Sequence, residues 1–346
     1  MQALILAGGK GTRLRPLTVY TPKPIVPFLN RPFLVYQIEI LKRAGIEDIT
    51  LSLSYQPDKI EQLLGSGTDL GVSLSYITEP SPMGTGGAYK FAAGDRAETT
   101  VVLNGDVMTN VSIADLVAHH REKAADATIL LAPVDNPSAY GLVETGDDHR
   151  VLRFREKPTP EELATLSINT INAGIYILEP SVLEIIPSGV NYSFEYNVFP
   201  DLLDRAKRFF AYVLDGEYWR DIGNPESYLQ GHHDFLKGRV PGFEIGRSDE
   251  SEIATAAVVD SVSVIGKDCV IKPNARVLNS VLGPGVHVEE HAIIEDSVIW
   301  AHTRVAGSAE IRGAVLGRSC HIGRNVTIRP GTVLGDKSLL TDYTRV

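Results

Sequence analysis

The chain opens on ALILAGGKGTRLRP, residues 3–16. An apolar run from Ala3 to Ala7 ends at Gly8-Gly9 and gives way to Lys10-Gly11-Thr12-Arg13-Leu14-Arg15-Pro16. The run predicts a buried strand, and the glycines after it predict a turn whose backbone N–H groups can close on an anion. Arg13 and Arg15 add charge-assisted donors suited to phosphate oxygens. The loop matches neither common phosphate fingerprint. A P-loop needs Ser or Thr where Gly11 stands, and the dinucleotide fingerprint needs a third glycine where Leu14 stands. From Met1 to Ile38 the chain has Lys10, Arg13, Arg15, Lys23 and Arg31 but no Asp or Glu, although its net charge is −10. The segment therefore reads as the seat of a compact anion. Non-specific nucleic-acid binding, which needs a basic surface, is not expected.

At 346 residues, with 43 % apolar and 22 % charged residues, the chain suits two domains with full cores. No stretch approaches the ~18–20 apolar residues of a membrane helix, and the run at Ala3–Ala7 lacks the cleavage pattern of a secretion signal. Cys269 and Cys320 alone make no disulfide framework, so a cytoplasmic setting is the expectation.

Up to about residue 235, strand-like runs alternate with helix-like segments. Strands are expected at 3–6, 48–54, 73–77, 100–103 and 127–132, and helices at 31–44, 57–64, 84–93 and 113–124. Such alternation implies an α/β fold with a mostly parallel sheet. Later strands at 151–155, 173–178 and 209–213 are less regular, which makes the sheet mixed. Residues 238–250 read as a linker, dividing a domain at 1–237 from one at 251–346.

Beyond the linker a repeat takes over. Ser263-Val-Ile-Gly, Ser280-Val-Leu-Gly, Ser297-Val-Ile-Trp and Ala314-Val-Leu-Gly recur every 17 residues. Aliphatics fall at steps of six, six and five: Ile265, Ile271, Val277, then Leu282, Val288, Ile294, then Ile299, Val305, Ile311, then Leu316, Ile322, Ile328. A fixed period with single inward aliphatics is the signature of a β-solenoid with three short strands per coil. The hexads resemble the hexapeptide-repeat, left-handed β-helix family, and the handedness is implied by that resemblance.

Further motifs carry the chemistry. Prolines flank Lys23 in Thr21-Pro22-Lys23-Pro24 and stiffen the backbone around one cation. Taken with EPSPMGTGGA (79–88), LNGD (103–106), YGLV (140–143), REKP (155–158), INAGIYIL (171–178) and YWRDIG (218–223), the opening loop closely resembles the sugar-1-phosphate nucleotidylyltransferases. A solenoid tail is also found on several branches of that family, including the mannose-1-phosphate guanylyltransferases, which this chain resembles most overall.

The resemblance implies attack of a sugar phosphate oxygen on the α-phosphorus of a nucleoside triphosphate, with release of pyrophosphate. Like-charge repulsion is the obstacle, so such a site supplies cations and orientation. Leu6, Ala7, Gly8, Gly9, Gly11, Thr12, Arg13, Gly84, Thr85 and Asn104 would line the nucleotide. Arg13 would face the departing pyrophosphate and Lys23 the α-phosphate. Lys157 would bind the incoming phosphate, Glu156 and Asn172 the sugar hydroxyls, and Gly141 would offer its N–H. Asp106, at the carboxyl end of the 100–103 strand, and Asp221 would hold Mg2+, which takes only one or two carboxylates beside phosphates. A phosphate monoester is already ionised near neutral pH, so no catalytic histidine is expected. His119 and His120 fall on a helix, and His287, His291, His302 and His321 at solenoid turns.

At Gly87, where thymidylyl- and uridylyl-transferring relatives often place Gln, the missing side chain would leave room for a purine. GTP with mannose 1-phosphate is the expected pair, against glucose 1-phosphate with dTTP, UTP or ATP. A non-catalytic regulatory subunit is the reading from another class, and acyl transfer by the solenoid a further one. Homo-oligomerisation through the β-helix is expected, because solenoid edges and ends need covering.

Overall fold

The computed structural model describes the chain apart from residues 95–97, 160, 162–167, 244, 246, 247 and 249, so part of the expected linker lies outside the described residues. Two compact units divide it: Met1–Gly9 with Leu34–Trp219, and Lys10–Phe33 with Arg220–Val346. The chain leaves the first unit inside the glycine-rich loop.

In the first unit, β1 (Gln2–Leu6), β2 (Asp48–Leu53), β3 (Ser73–Thr78), β4 (Thr100–Asn104), β5 (Ala127–Pro133), β6 (Gly141–Thr145), β7 (Val151–Glu156), β8 (Thr170–Leu178) and β9 (Phe209–Val213) form one sheet. Its order is β7-β6-β8-β4-β1-β2-β3, with β5 pairing both β8 and β9. The β4, β1, β2 and β3 strands run parallel, and Leu6 lies in register with both Asn104 and Ser52. β8 is antiparallel to β4, β5 and β6, so the sheet is mixed, as the less regular later strands imply. β6 has no strand signal in the sequence beyond Leu142-Val143, because a glycine opens it and polar residues close it. The central strands are buried on both faces. Ile5, Leu51, Val101, Val102, Leu103, Tyr176 and Ile177 have no measurable exposure, which is why they read as continuous apolar runs. The Phe33–Arg43 helix begins two residues later than expected, since Arg31–Pro32 pairs with Pro27–Phe28 as a short hairpin.

In the second unit the repeat forms a three-sided parallel β-helix. Among the described residues one side has six strands, from Glu252–Ile253 to Leu339–Leu340, and each of the other two has five. The period is 17 residues from Val270 through His287 and Arg304 to His321, and 18 in the first and last steps. All twelve aliphatics of the six-six-five pattern are at most 1 % exposed, so each points inward as its spacing requires. The repeated serines form a ladder of their own. Ser263, Ser280 and Ser297 each accept, at 3.1 Å, the backbone N–H of residue 280, 297 or 314 one coil on. These buried hydroxyls thereby satisfy amides at the corners, where strand pairing lapses. His287 and His321 lie on strands and not at turns, in contrast to the expectation; only His291 and His302 take turn geometry, each with φ 60°. Cys269 and Cys320 are free thiols inside the coil.

Candidate active site

The strand ends of the first unit gather most of the expected residues. Leu6 ends β1 and Ala7 continues it, donating to Ser52 O at 2.9 Å. Gly8 lies close to two side chains: a Cβ there would meet Glu79 Oε1 and Ser54 Oγ at 2.9 Å, so these would have to shift. Gly9 is exposed, and a Cβ on it would meet nothing within 4 Å. Packing thus crowds the first glycine but not the second, beside which there is open space.

Asp106 stands half-buried in the turn that follows β4. Gly105 donates to Leu6 O at 2.9 Å, and its missing side chain lets the turn lie against Ala7. Gln37, which the sequence reading passed over, fixes this turn from beneath. It is 2 % exposed, and its Nε2 donates to the carbonyls of Asn104 and Val107, both at 2.8 Å, on either side of Asp106. The one available signal was a lone amide among the apolar residues of the helix's first two turns. Gln37→Leu should keep the fold but loosen the turn, lowering kcat by about tenfold. Steady-state pyrophosphate release checks this.

The expected sugar-binding residues form a polar cluster. Gly141 opens β6, and a Cβ there would lie 2.7 Å from Glu156 Oε2. Lys157 follows Glu156 with φ 47°; its N–H donates to Tyr140 O at 3.2 Å, and its ammonium lies 3.9 Å from Glu156 Oε1. A break in the register of β8 against β5, between Asn172 and Tyr176, re-aims the intervening residues. Gly174, at φ 75°, supplies the left-handed residue of that irregularity, which explains the Asn-Ala-Gly motif. Asn172 Nδ2 donates to the Tyr176 hydroxyl at 3.0 Å, and its Oδ1 accepts from Gly174 N at 2.9 Å.

Glu195 is the second residue that sequence reading missed. It lies in a π-helical stretch, Phe194–Val198, which has no periodic signature. Its carboxylate accepts from Ser193 Oγ at 2.6 Å and Thr85 Oγ1 at 3.1 Å. Burial, followed by the nearby Glu195 charge, raises the Glu156 pKa above its usual 4.5, and Lys157 opposes them. With the sugar-hydroxyl role expected of Glu156, KM for a sugar 1-phosphate should rise as pH falls through this raised pKa, because the protonated carboxyl loses acceptor capacity. Glu156→Gln should give a pH-independent KM over the same acid limb.

The Gly84–Ala93 helix corrects one expectation. A Cβ on Gly87 would lie 2.6 Å from Val190 O, and one on Gly84 2.7 Å from Tyr192 O. The glycines are required by the close approach of residues 190–192, so the missing side chain at 87 leaves no free room for a larger base.

In the second unit, Gly11 caps a helical turn, Thr12–Leu14, with φ 61°, and a Cβ on it would lie 2.8 Å from Lys23 Cβ. Lys23 is buried in the Lys23–Ile25 turn. Arg13 Nη2 lies 3.9 Å from Asp221 Oδ2, with Arg13 largely exposed and Asp221 mostly covered. Gly223 packs beneath them: a Cβ there would meet Asp221 Oδ2 at 2.8 Å and Arg13 Nη1 at 3.1 Å. The structure thus brings Arg13 to Asp221 and Gly11 to Lys23. Asp106, Glu156, Lys157 and Asn172 belong to the first unit. Among the described residues no three His, Cys, Asp or Glu side chains form a metal cluster.

A family model described as nucleotidyl transferase matches residues 2–238. The chain belongs to that family. A second model, the EIF2B subunit epsilon LbH domain, matches residues 244–346 and identifies the coil as a left-handed β-helix. Similar proteins include a mannose-1-phosphate guanylyltransferase of Mycobacterium tuberculosis, 39 % identical over 85 % of this chain and 83 % of that protein. A probable mannose-1-phosphate guanylyltransferase 2 of Oryza sativa subsp. japonica is 36 % identical over 98 % and 97 %. A UTP–glucose-1-phosphate uridylyltransferase of Synechocystis is 34 % identical over 92 % and 88 %. Nucleotidyltransferases of this family use a divalent metal. No described helix is long and apolar enough to cross a membrane.

Proposed function

We propose that the protein transfers a guanylyl group from GTP to mannose 1-phosphate and releases pyrophosphate, in the cytoplasm. The observation that carries the substrate pair is the run of guanylyltransferase-named relatives aligned across nearly the whole chain. We take residues 1–237 as the catalytic domain, 238–250 as the linker and 251–346 as the β-helix, through which we expect the chain to self-associate.

An oxygen of the sugar phosphate attacks the α-phosphorus, the bond to the β-phosphate oxygen breaks, and pyrophosphate leaves. The attacking phosphate needs no base. The nucleotide lies along Leu6, Ala7, Gly8, Gly9, Gly11 and Thr12, with Gly84, Thr85 and Asn104 toward the base and ribose. Lys23 neutralises charge at the α-phosphate, and Arg13 draws off the leaving pyrophosphate. Lys157 holds the incoming phosphate, and Glu156, Asn172 and the Gly141 N–H orient the sugar. Asp106 and Asp221 offer hard carboxylate oxygens that suit Mg2+, an ion held by one or two carboxylates beside phosphates and water. When bound, Mg2+ supplies charge neutralisation across the phosphates.

The Synechocystis relative keeps UTP with glucose 1-phosphate as the second reading. Pyrophosphate release with ATP, GTP, CTP, UTP and dTTP against mannose and glucose 1-phosphates decides between them. GTP with mannose 1-phosphate should give the highest kcat/KM, and a preference for UTP or dTTP with glucose 1-phosphate would overturn the guanylyl assignment.

A further inference from the structure

The corner residue after each strand of one β-helix side is Gly266, Gly283, Trp300, Gly317 and Gly335 in successive coils. Side chains are sterically excluded at three of these corners. A Cβ would lie 2.6 Å from Pro284 N at Gly266, 2.8 Å from the Trp300 carbonyl carbon at Gly283, and 2.6 Å from Asp336 N at Gly317. The repeat predicts glycine at 300, yet the largest residue stands there, only 1 % exposed.

Its contacts explain the departure. Trp300 Nε1 donates to the Tyr228 hydroxyl at 3.0 Å, and Tyr228 donates onward to the carbonyl of Pro27. The Arg318 guanidinium covers the indole at 5.7 Å from its centroid. The same side of the coil also meets the 10–33 segment directly: Leu282 O, just before the Gly283 corner, accepts from Asn30 Nδ2 at 2.8 Å, and a Cβ on Gly335 would lie 3.1 Å from Pro16 Cβ. Tyr228 sits on the Pro225–Leu236 helix, which grips the segment further along. There His232 Nε2 accepts from Leu29 N at 3.2 Å, and burial holds the imidazole neutral by pushing its pKa down to about 3. At the start of that helix, Ser227 Oγ donates to the carbonyl of Asp221.

Between Lys10 and Phe33 the chain has two single helical turns and one two-residue hairpin. Such a segment takes its order from its neighbours. We propose that the β-helix positions this triphosphate-facing segment for the reaction, with Trp300–Tyr228–Pro27 as the joint. Trp300 and Tyr228 are then positioning residues; the inference rests on the roles given above to Arg13, Lys23 and Asp221.

The test combines kinetics with amide hydrogen exchange on the full-length chain carrying Tyr228→Phe, Trp300→Phe or both. Tyr228→Phe should speed exchange across residues 16–30 by about tenfold. It should also lower kcat by about tenfold with KM for the sugar 1-phosphate unchanged. The double variant should stay within about twofold of Tyr228→Phe, because both act through one chain of bonds. Trp300→Phe keeps an apolar ring in place and is read alone if Tyr228→Phe melts below the assay temperature. Unchanged exchange at 16–30 overturns the joint whatever the activity, and faster exchange with wild-type kcat overturns its positioning role. A wild-type chain that turns over no nucleotide with any sugar 1-phosphate refutes the functional reading instead, while exchange still decides the joint.

Discussion

Asp106→Asn and Asp221→Asn are each expected to lower metal-dependent turnover by about a thousandfold, roughly 4 kcal/mol of barrier. The substitution is nearly isosteric, and each residue's backbone has anchors that do not involve its carboxylate. At Asp106 the turn is held by the paired Gln37 bonds and by Gly105 on Leu6. At Asp221 the carbonyl accepts from Ser227, and Asn224 caps the helix that follows through Ser227 N at 2.8 Å. The loss should therefore appear in kcat and in the metal concentration needed for half-maximal rate, with melting temperature held near that of the parent. Direct Mn2+ titration in the presence of nucleotide, followed by electron paramagnetic resonance, gives a reading apart from turnover. Either variant retaining full turnover at the parent's metal requirement would remove that carboxylate from the metal site.

The two kinds of residue in this chain left different traces in the sequence. The residues we assign to the ligands sit in short motifs at strand ends, where glycine, lysine and aspartate have few structural reasons to cluster. Asp106 in LNGD is found just past the end of its strand, as expected, whereas the register break beside Asn172 in NAG is visible only in the structure. The β-helix was legible for a related reason: its inward positions repeat at a fixed step, and all twelve are buried. Residues that hold the site together leave no such trace. Gln37 looks like one polar residue on a buried helix until its two carbonyl partners, 67 and 70 positions away, are seen. Glu195 lies on a π-helical stretch with no period to read. The glycines at 84 and 87 show the opposite error, since a pattern that resembles base recognition is also demanded by packing against residues 190–192.

Lys23→Met is expected to reduce kcat/KM by about a thousandfold, because on the role proposed above it removes one preorganised charge from the α-phosphate while keeping the apolar stem. The stem matters here. Lys23 is 8 % exposed in a turn closed by Val26 N on Lys23 O at 3.2 Å, with Pro22 before it and Pro24 after it. Its Cβ packs against Gly11, whose carbonyl accepts from Thr18 Oγ1 at 2.7 Å. A methionine keeps a stem of similar length in this turn, so urea or thermal unfolding should change less than in a variant that strains the backbone. Lys23→Arg keeps the charge but brings a wider planar head to the same place, and should recover only part of the rate. Gly11→Ala should behave differently from both. It places a Cβ within 2.8 Å of Lys23 Cβ at a residue with φ 61°, so it strains the turn and displaces the lysine together. Activity and melting temperature should then fall in parallel, whereas in Lys23→Met they separate. If Lys23→Met loses stability as steeply as Gly11→Ala, the lysine is holding the loop together and not the phosphate.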